Sequence, residues 1–175
     1  MKMRWQGGRV WVVHLCVLLL AAGWLASAQQ EDPPKDPREE RAAQLSGHVQ
    51  RGLRARDEER LGDAAREFEA ALKLAPNVAQ LHASLGLVRH REGKLSLAVA
   101  SFERALEVKP DLGGVNGLLG FDLLMLGRVE TALPRLRKAH EENPSNQEVR
   151  SWLGLAYLRS GQHRKAIGEW EAIRD

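Results

Sequence analysis

The residues able to do chemistry are scattered rather than gathered. His48, His82, His90, His140 and His163 are the histidines past residue 40, and His48 and His82 stand 34 residues apart. If that stride is a structural repeat, equivalent side chains are separated by a helix-pair spacing, about two interaxial distances of 8–10 Å. One metal ion with bonds of about 2 Å does not bridge such a gap. Glu58–Glu59 and Glu141–Glu142 are paired acids of the kind that acid–base catalysis uses. They adjoin basic residues, however, and read as a solvated face. Arg51, Arg54, Arg56 and Arg60 form a basic run, with Asp57, Glu58 and Glu59 among them to cancel its field. Cys16 is the only cysteine and lies in an apolar run near the start. No phosphate-cradling GxxxxGK[ST], dinucleotide GxGxxG, HExxH or GxSxG pattern occurs. The glycine-rich GGVNGLLG at Gly113–Gly120 lacks the lysine that a phosphate loop needs. Catalytic, cofactor-binding and metal-ligating residues are therefore all assigned as none, and the chain is read as a non-enzyme.

Composition narrows the class further. The chain has 175 residues, 28% charged and 43% hydrophobic, a soluble globular balance. Its formal charge of +3 comes from Lys2, Arg4 and Arg9, the only charged residues before Glu31; the remainder carries equal numbers of bases and acids. Such a body offers no general field for a polyanion, which argues against nucleic acid as partner. The basic start, the apolar run Val10–Leu25 and the small residues Ala26, Ser27 and Ala28 have the three parts of a secretory signal. The run is short for a spanning helix. We expect residues 1–28 to be a signal peptide, giving a periplasmic or secreted protein with no membrane span after cleavage. An uncleaved signal anchor is the rival reading. Residues 29–41 follow as a disordered linker. Pro33, Pro34 and Pro37 bias their neighbours away from helix there.

The rest, residues 42–175, repeats itself every 34 residues without a gap. Gly52, Gly86, Gly120 and Gly154 align, as do Ala64, Ala98, Ala132 and Ala166. Phe68, Phe102, Leu136 and Trp170 share a column, and Pro76, Pro110 and Pro144 another. Within a row, Leu81, Leu85 and Val88 mark one face of a helix, Gly93 breaks it, and Leu95, Ala98, Phe102 and Ala105 mark a second. The small glycine and alanine let the two helices approach, the aromatic fills the space beside them, and the proline turns the chain into the next row. No such helix buries its apolar face alone; stacked neighbours bury it.

At these columns the chain resembles the tetratricopeptide repeat family. The resemblance implies an all-α fold, a right-handed superhelical array of antiparallel helix pairs, with repeats at 45–78, 79–112, 113–146 and 147–175. Departures are visible. His48, His82, Asn116 and Arg150 stand where the family often has tryptophan. Row one has Arg51 for leucine and Glu59 for the turn glycine, as if it were a frayed or capping unit. Gly117 and Gly120 mark the first helix of row three as the least stable, each costing about 1 kcal/mol against alanine. Pro134 is expected in the first turn of its helix, where its missing N–H is harmless.

The resemblance also implies a concave groove lined by the first helices. Its columns carry Val49, Leu53, Arg56 and Asp57; Ala83, Leu87, His90 and Arg91; Gly117, Phe121, Leu124 and Met125; and Ser151, Leu155, Leu158 and Arg159. Phe121 and Met125 would be adaptable apolar anchors, and Arg56, Arg91 and Arg159 donors for a carboxylate or peptide carbonyls. Phe121 and Leu124 have a rival reading as residues buried between helices. The function expected is an exported scaffold that binds a protein or extended peptide through this groove. Two alternatives stand beside it. In one, an accessory subunit of a larger envelope complex docks through an open last repeat, with Ile167, Trp170 and Ile173 uncovered. In the other, the chain is the leading portion of a longer enzyme. Trp170 is expected to pack within its own repeat.

Overall fold

The computed structural model describes residues 36–174. The predicted leader and the greater part of the predicted linker lie outside them. The chain divides into two units, Met1–Glu39 and Glu40–Asp175, and the core belongs to the second. Among the described residues there are eight helices and no strand: α1 (Pro37–Asp57), α2 (Leu61–Leu74), α3 (Ala79–Arg91), α4 (Leu95–Val108), α5 (Val115–Met125), α6 (Val129–Glu142), α7 (Gln147–Arg159) and α8 (His163–Arg174). They form four helix pairs at the predicted stride, an all-α tetratricopeptide-type solenoid. No helix among the described residues is long and apolar enough to cross a membrane.

The stride has a visible physical cause. Glu59, Gly93, Gly127 and Gly161 all take left-handed backbone, with φ of 58°, 73°, 77° and 76°. Each closes the first helix of its pair with the same two hydrogen bonds. Lys94 N–H reaches the Arg89 carbonyl at 2.9 Å and Gly93 N–H the His90 carbonyl at 2.9 Å, and the other three turns repeat this geometry. This is a Schellman stop, which satisfies the last carbonyls and reverses the chain in three residues. Pro76, Pro110 and Pro144 lie in the turns between successive pairs, as the repeat required.

Inside each pair one contact sets the spacing. A Cβ at Gly52, Gly86, Gly120 or Gly154 would stand 2.8, 2.6, 2.7 or 2.5 Å from Phe68, Phe102, Leu136 or Trp170 respectively. Only glycine lets the large residue of the second helix lie on the first. Phe68, Phe102 and Leu136 are fully buried, together with the alanines Ala64, Ala98 and Ala132. Two apolar clusters result, one around Phe68, Leu81 and Leu85, the other around Phe102, Leu119, Leu124, Leu136 and Leu153.

Three expectations need correction. The linker does not extend to residue 41: α1 begins at Pro37, because a proline suits a first helical turn and Asp36 Oδ1 accepts the Arg38 N–H at 2.9 Å. Pro134 is not in the first turn. α6 starts at Val129, so Pro134 falls in the second turn and deprives the Glu130 carbonyl of its donor. Row one is not frayed, since Glu59 adopts the glycine-like turn and Gly52 receives Phe68. Trp170 does sit on Gly154 of its own repeat, yet it stays 39% exposed where Phe102 is 1%. The glycine-rich first helix of row three is the shortest of the eight, opening at Val115 after Gly114 with φ 79°.

Candidate functional site

Adjacent first helices approach each other: α5 touches both α3 and α7, in addition to the second helices beside it. Side chains from successive repeats therefore meet on this layer. The clearest instance is a run of rings. His90 on α3 meets Phe121 on α5 edge-on, with centroids 5.8 Å apart, and Phe121 lies 4.8 Å from Trp152 on α7, tilted by 42°. All three rings are only partly buried. Aromatic pairs at such separations and tilts attract beyond simple area burial. Met125 and Leu155 flank the run half-buried, against the larger cluster, and Val49 and Leu53 hold the same standing against the smaller one. Leu87 and Ala83 are also half-buried, as is Ser151.

The predicted groove columns divide on inspection. Leu124 is fully buried and Gly117 is buried as well, so neither is part of an accessible surface. Both lie on the side of α5 that α6 and α7 cover: a Cβ at Gly117 would stand 3.2 Å from Val149 and 3.7 Å from Ala139. The three arginines expected to offer donors are already engaged. Arg56 Nη2 pairs with Asp57 at 2.7 Å, and Arg91 pairs with Glu59 of the preceding repeat. Arg159 Nη1 donates to the Leu124 carbonyl at 2.6 Å, tying the fourth repeat to the third. Leu158 is 41% exposed.

Beneath the rings lies a polar pair. His90 Nδ1 and Asp122 Oδ1 share a hydrogen bond at 2.6 Å, and Asp122 is fully buried. Burial pushes the Asp122 carboxyl above the usual carboxylate range, while the hydrogen bond and charge of His90 pull it down. Its second oxygen, Oδ2, has no partner among the described residues. Asp122 occupies the column of Val88 and Ala156, so repeat three places an acid where its neighbours place hydrocarbon. His90 is thus held by its neighbouring repeat, and its ring orientation toward Phe121 is fixed from below.

Other polar residues brace the frame. His82 Nε2 donates to the Pro76 carbonyl at 2.8 Å, Arg150 Nη2 to the Pro144 carbonyl at 3.0 Å, and Lys138 Nζ to the Pro110 carbonyl at 3.0 Å. His82 and Arg150 share a column, so the position where the family often has tryptophan serves here to secure the inter-repeat turn. Asn116, in the same column and fully buried, donates to Glu142 Oε1 at 2.8 Å, so Glu142 is not merely solvated. His48 in the first row meets Glu67 at 2.7 Å instead. No group of His, Cys, Asp and Glu among the described residues is arranged to hold a metal ion.

Sequence reasoning named His90 and Phe121 but missed Trp152 and Asp122. Trp152 lies one step outside the usual groove columns, and its partner was legible only as a neighbouring aromatic 31 residues earlier, Phe121. Asp122 betrayed itself as an acid in an apolar column.

Helix pairs at a fixed stride, a glycine under a large side chain in every pair and a layer of first helices define a tetratricopeptide-repeat protein. Tetratricopeptide-repeat family profiles match residues 49–112 and 123–174, together more than half of the chain, and the chain belongs to that family. No curated protein sequence matches it. Among solved structures, a crystal structure of MamA protein superposes with a TM-score of 0.72 at 23% identity, covering 75% of this chain and 72% of the other. MamA 41-end from Desulfovibrio magneticus RS-1 gives 0.71 at 21%, covering 74% and 73%. The structure of YrrB, a TPR protein with an unusual peptide-binding site, gives 0.68 at 25%, covering 72% of this chain and 65% of that one.

Proposed function

We propose that this chain is an exported scaffold that binds another protein or an extended peptide along its first helices. Family membership supports binding as the general role. The observation that carries the particular site is the run His90–Phe121–Trp152, which spans three repeats and leaves its rings partly open. Half-exposed rings held by a rigid frame offer contact area at low entropic cost, which is what hot spots for protein recognition require. Met125 and Leu155 extend the apolar strip. The arginines define its rim rather than its centre, since their existing ion pairs and hydrogen bonds must exchange before they serve a ligand. The likeness to YrrB, whose name includes a peptide-binding site, agrees with a peptide as ligand. The reading of export rests on the leader pattern alone. We assign no bond-making step to the chain.

The test is capture of ligands from a library of extended peptides displayed on phage. Phe121→Ser and Trp152→Ser should each abolish enrichment of the selected peptides while the helical circular dichroism persists. Lys73→Glu, on an exposed residue of α2, should leave it unchanged. Equal enrichment by all three variants removes the ring run as the binding site.

A further inference from the structure

The outer face of α8 is built like a junction between repeats. In the column of Ile167, Val99 is 2% exposed beneath the repeat that follows it, yet Ile167 itself is 53% exposed. Among the described residues nothing covers it. The opposite end of the array is not made to fill this face. At the columns where α3, α5 and α7 present Leu81, Val115 and Val149, or Leu85, Leu119 and Leu153, α1 presents Gly47 and Arg51. Arg54 stands where α3 has Val88. A second copy stacked head to tail would bury these arginines against isoleucine, which is costly.

α8 is instead complementary to itself. Arg164, Ile167, Gly168 and Glu171 are spaced i, i+3, i+4 and i+7, one stripe of a helix, and all four are exposed. Turn a second α8 antiparallel about the midpoint of Ile167 and Gly168. Each isoleucine then lies over the partner's glycine, and each Arg164 stands opposite the partner's Glu171. Gly168 faces open space, with nothing within 4 Å of where a Cβ would be, so its missing side chain leaves a notch for the isoleucine. The place of Glu171 is also instructive. Its counterpart in the first repeat, Glu69, accepts a hydrogen bond at 2.7 Å from Arg89 of the helix that packs across the junction. This column is thus one that meets an incoming arginine.

We infer that two copies of this chain associate through α8 about a two-fold axis, with Ile167 seated in the partner's Gly168 notch and Arg164–Glu171 pairs on both sides. Such an interface is isologous and closes at two subunits. It leaves the His90–Phe121–Trp152 face of each copy on other helices, so the two claims fail independently.

Sedimentation equilibrium over a concentration series up to millimolar tests the inference. The chain from Gln29 onward is suitable, since the buried hydrophobic residues among those described run from Ala55 to Ala166. The expected result is a monomer–dimer equilibrium. Ile167→Glu should leave a helical monomer. Arg164→Glu and Glu171→Arg should each weaken the dimer, because both create like charges across the axis, and the double variant should restore it. A monomer throughout, association beyond two copies, a dimer indifferent to Ile167→Glu, or a double variant no better than the single ones would each overturn the inference.

Discussion

Glu59 holds a left-handed backbone at φ 58° where its three counterparts are glycines. For a residue with a Cβ this conformation costs about 1–2 kcal/mol. The Schellman hydrogen bonds, Glu59 N–H to Arg56 at 3.1 Å and Arg60 N–H to Ala55 at 2.8 Å, hold it there regardless. The carboxylate gains an ion pair with Arg91, but an exposed pair returns only about 0–1 kcal/mol. Glu59→Gly should therefore raise stability by about 1 kcal/mol, read as a higher urea midpoint at unchanged slope; a lower midpoint would show that the ion pair outweighs the strain. The sequence showed a missing glycine here and suggested fraying. What it hid is that backbone hydrogen bonding can impose a glycine conformation on glutamate. The large residues over Gly52, Gly86 and Gly120 were legible, because a regular stride of small and large columns within one chain has few other packings.

At the scale of elements, α6 carries the main local conflict. Pro134 in its second turn removes the hydrogen bond to Glu130 and crowds that carbonyl. Pro134→Ala should stabilise the protein by up to about 3 kcal/mol, measurable by thermal or urea unfolding; no gain would mean that the helix accommodates the proline without cost. The sequence placed this proline one turn too early, since helix starts are set by the turn geometry at Gly127 rather than by any capping side chain at Arg128. The first pair, α1 and α2, depends on charge. Glu67 on α2 accepts hydrogen bonds from Arg51 at 3.0 Å and meets His48 at 2.7 Å, both on α1. The Arg51 hydrogen bond first, and then that of His48, holds the Glu67 carboxyl below its ordinary value of 4.5. A depressed carboxylate stabilises the fold above its unfolded value and loses that contribution as pH falls through its folded one. The first pair should thus loosen below about pH 4.5, and Glu67→Gln should remove that part of the acid dependence. An unchanged acid unfolding profile in this variant would assign the dependence elsewhere.

Among the described residues each helix packs on those next to it and α5 also on the first helices on both sides. Stability then varies along the chain rather than uniformly. The larger cluster joins α4, α5, α6 and α7, and α5 is buried along most of its length. Amide hydrogen exchange should be slowest in α4 to α6 and fastest in α8, whose Ile167 and Trp170 are exposed. Uniform protection would indicate all-or-none unfolding. Gly117 and Gly120 mark α5 as weak by intrinsic propensity, whereas its enclosure marks it as strong, so fast exchange in α5 would show that propensity prevails over burial. The overall architecture was readable because the stride is ungapped. The site was half readable, since periodicity identifies which columns face inward in a generic repeat but not that Leu124 is sealed or that Asp122 anchors His90.

The recurring left-handed residue at Glu59, Gly93, Gly127 and Gly161 gives the molecule a natural unit of growth. Excising residues 94–127 would join Gly93 to Arg128, and Arg128 already plays the part of Lys94, the residue after the bend, with a hydrogen bond of 2.9 Å back to Leu123 where Lys94 reaches Arg89 at the same length. A chain of this design can be shortened or extended by whole links without new joints having to be invented, while a loss of any other length leaves the cut link without a complete helix pair and without the joint that fits its neighbour.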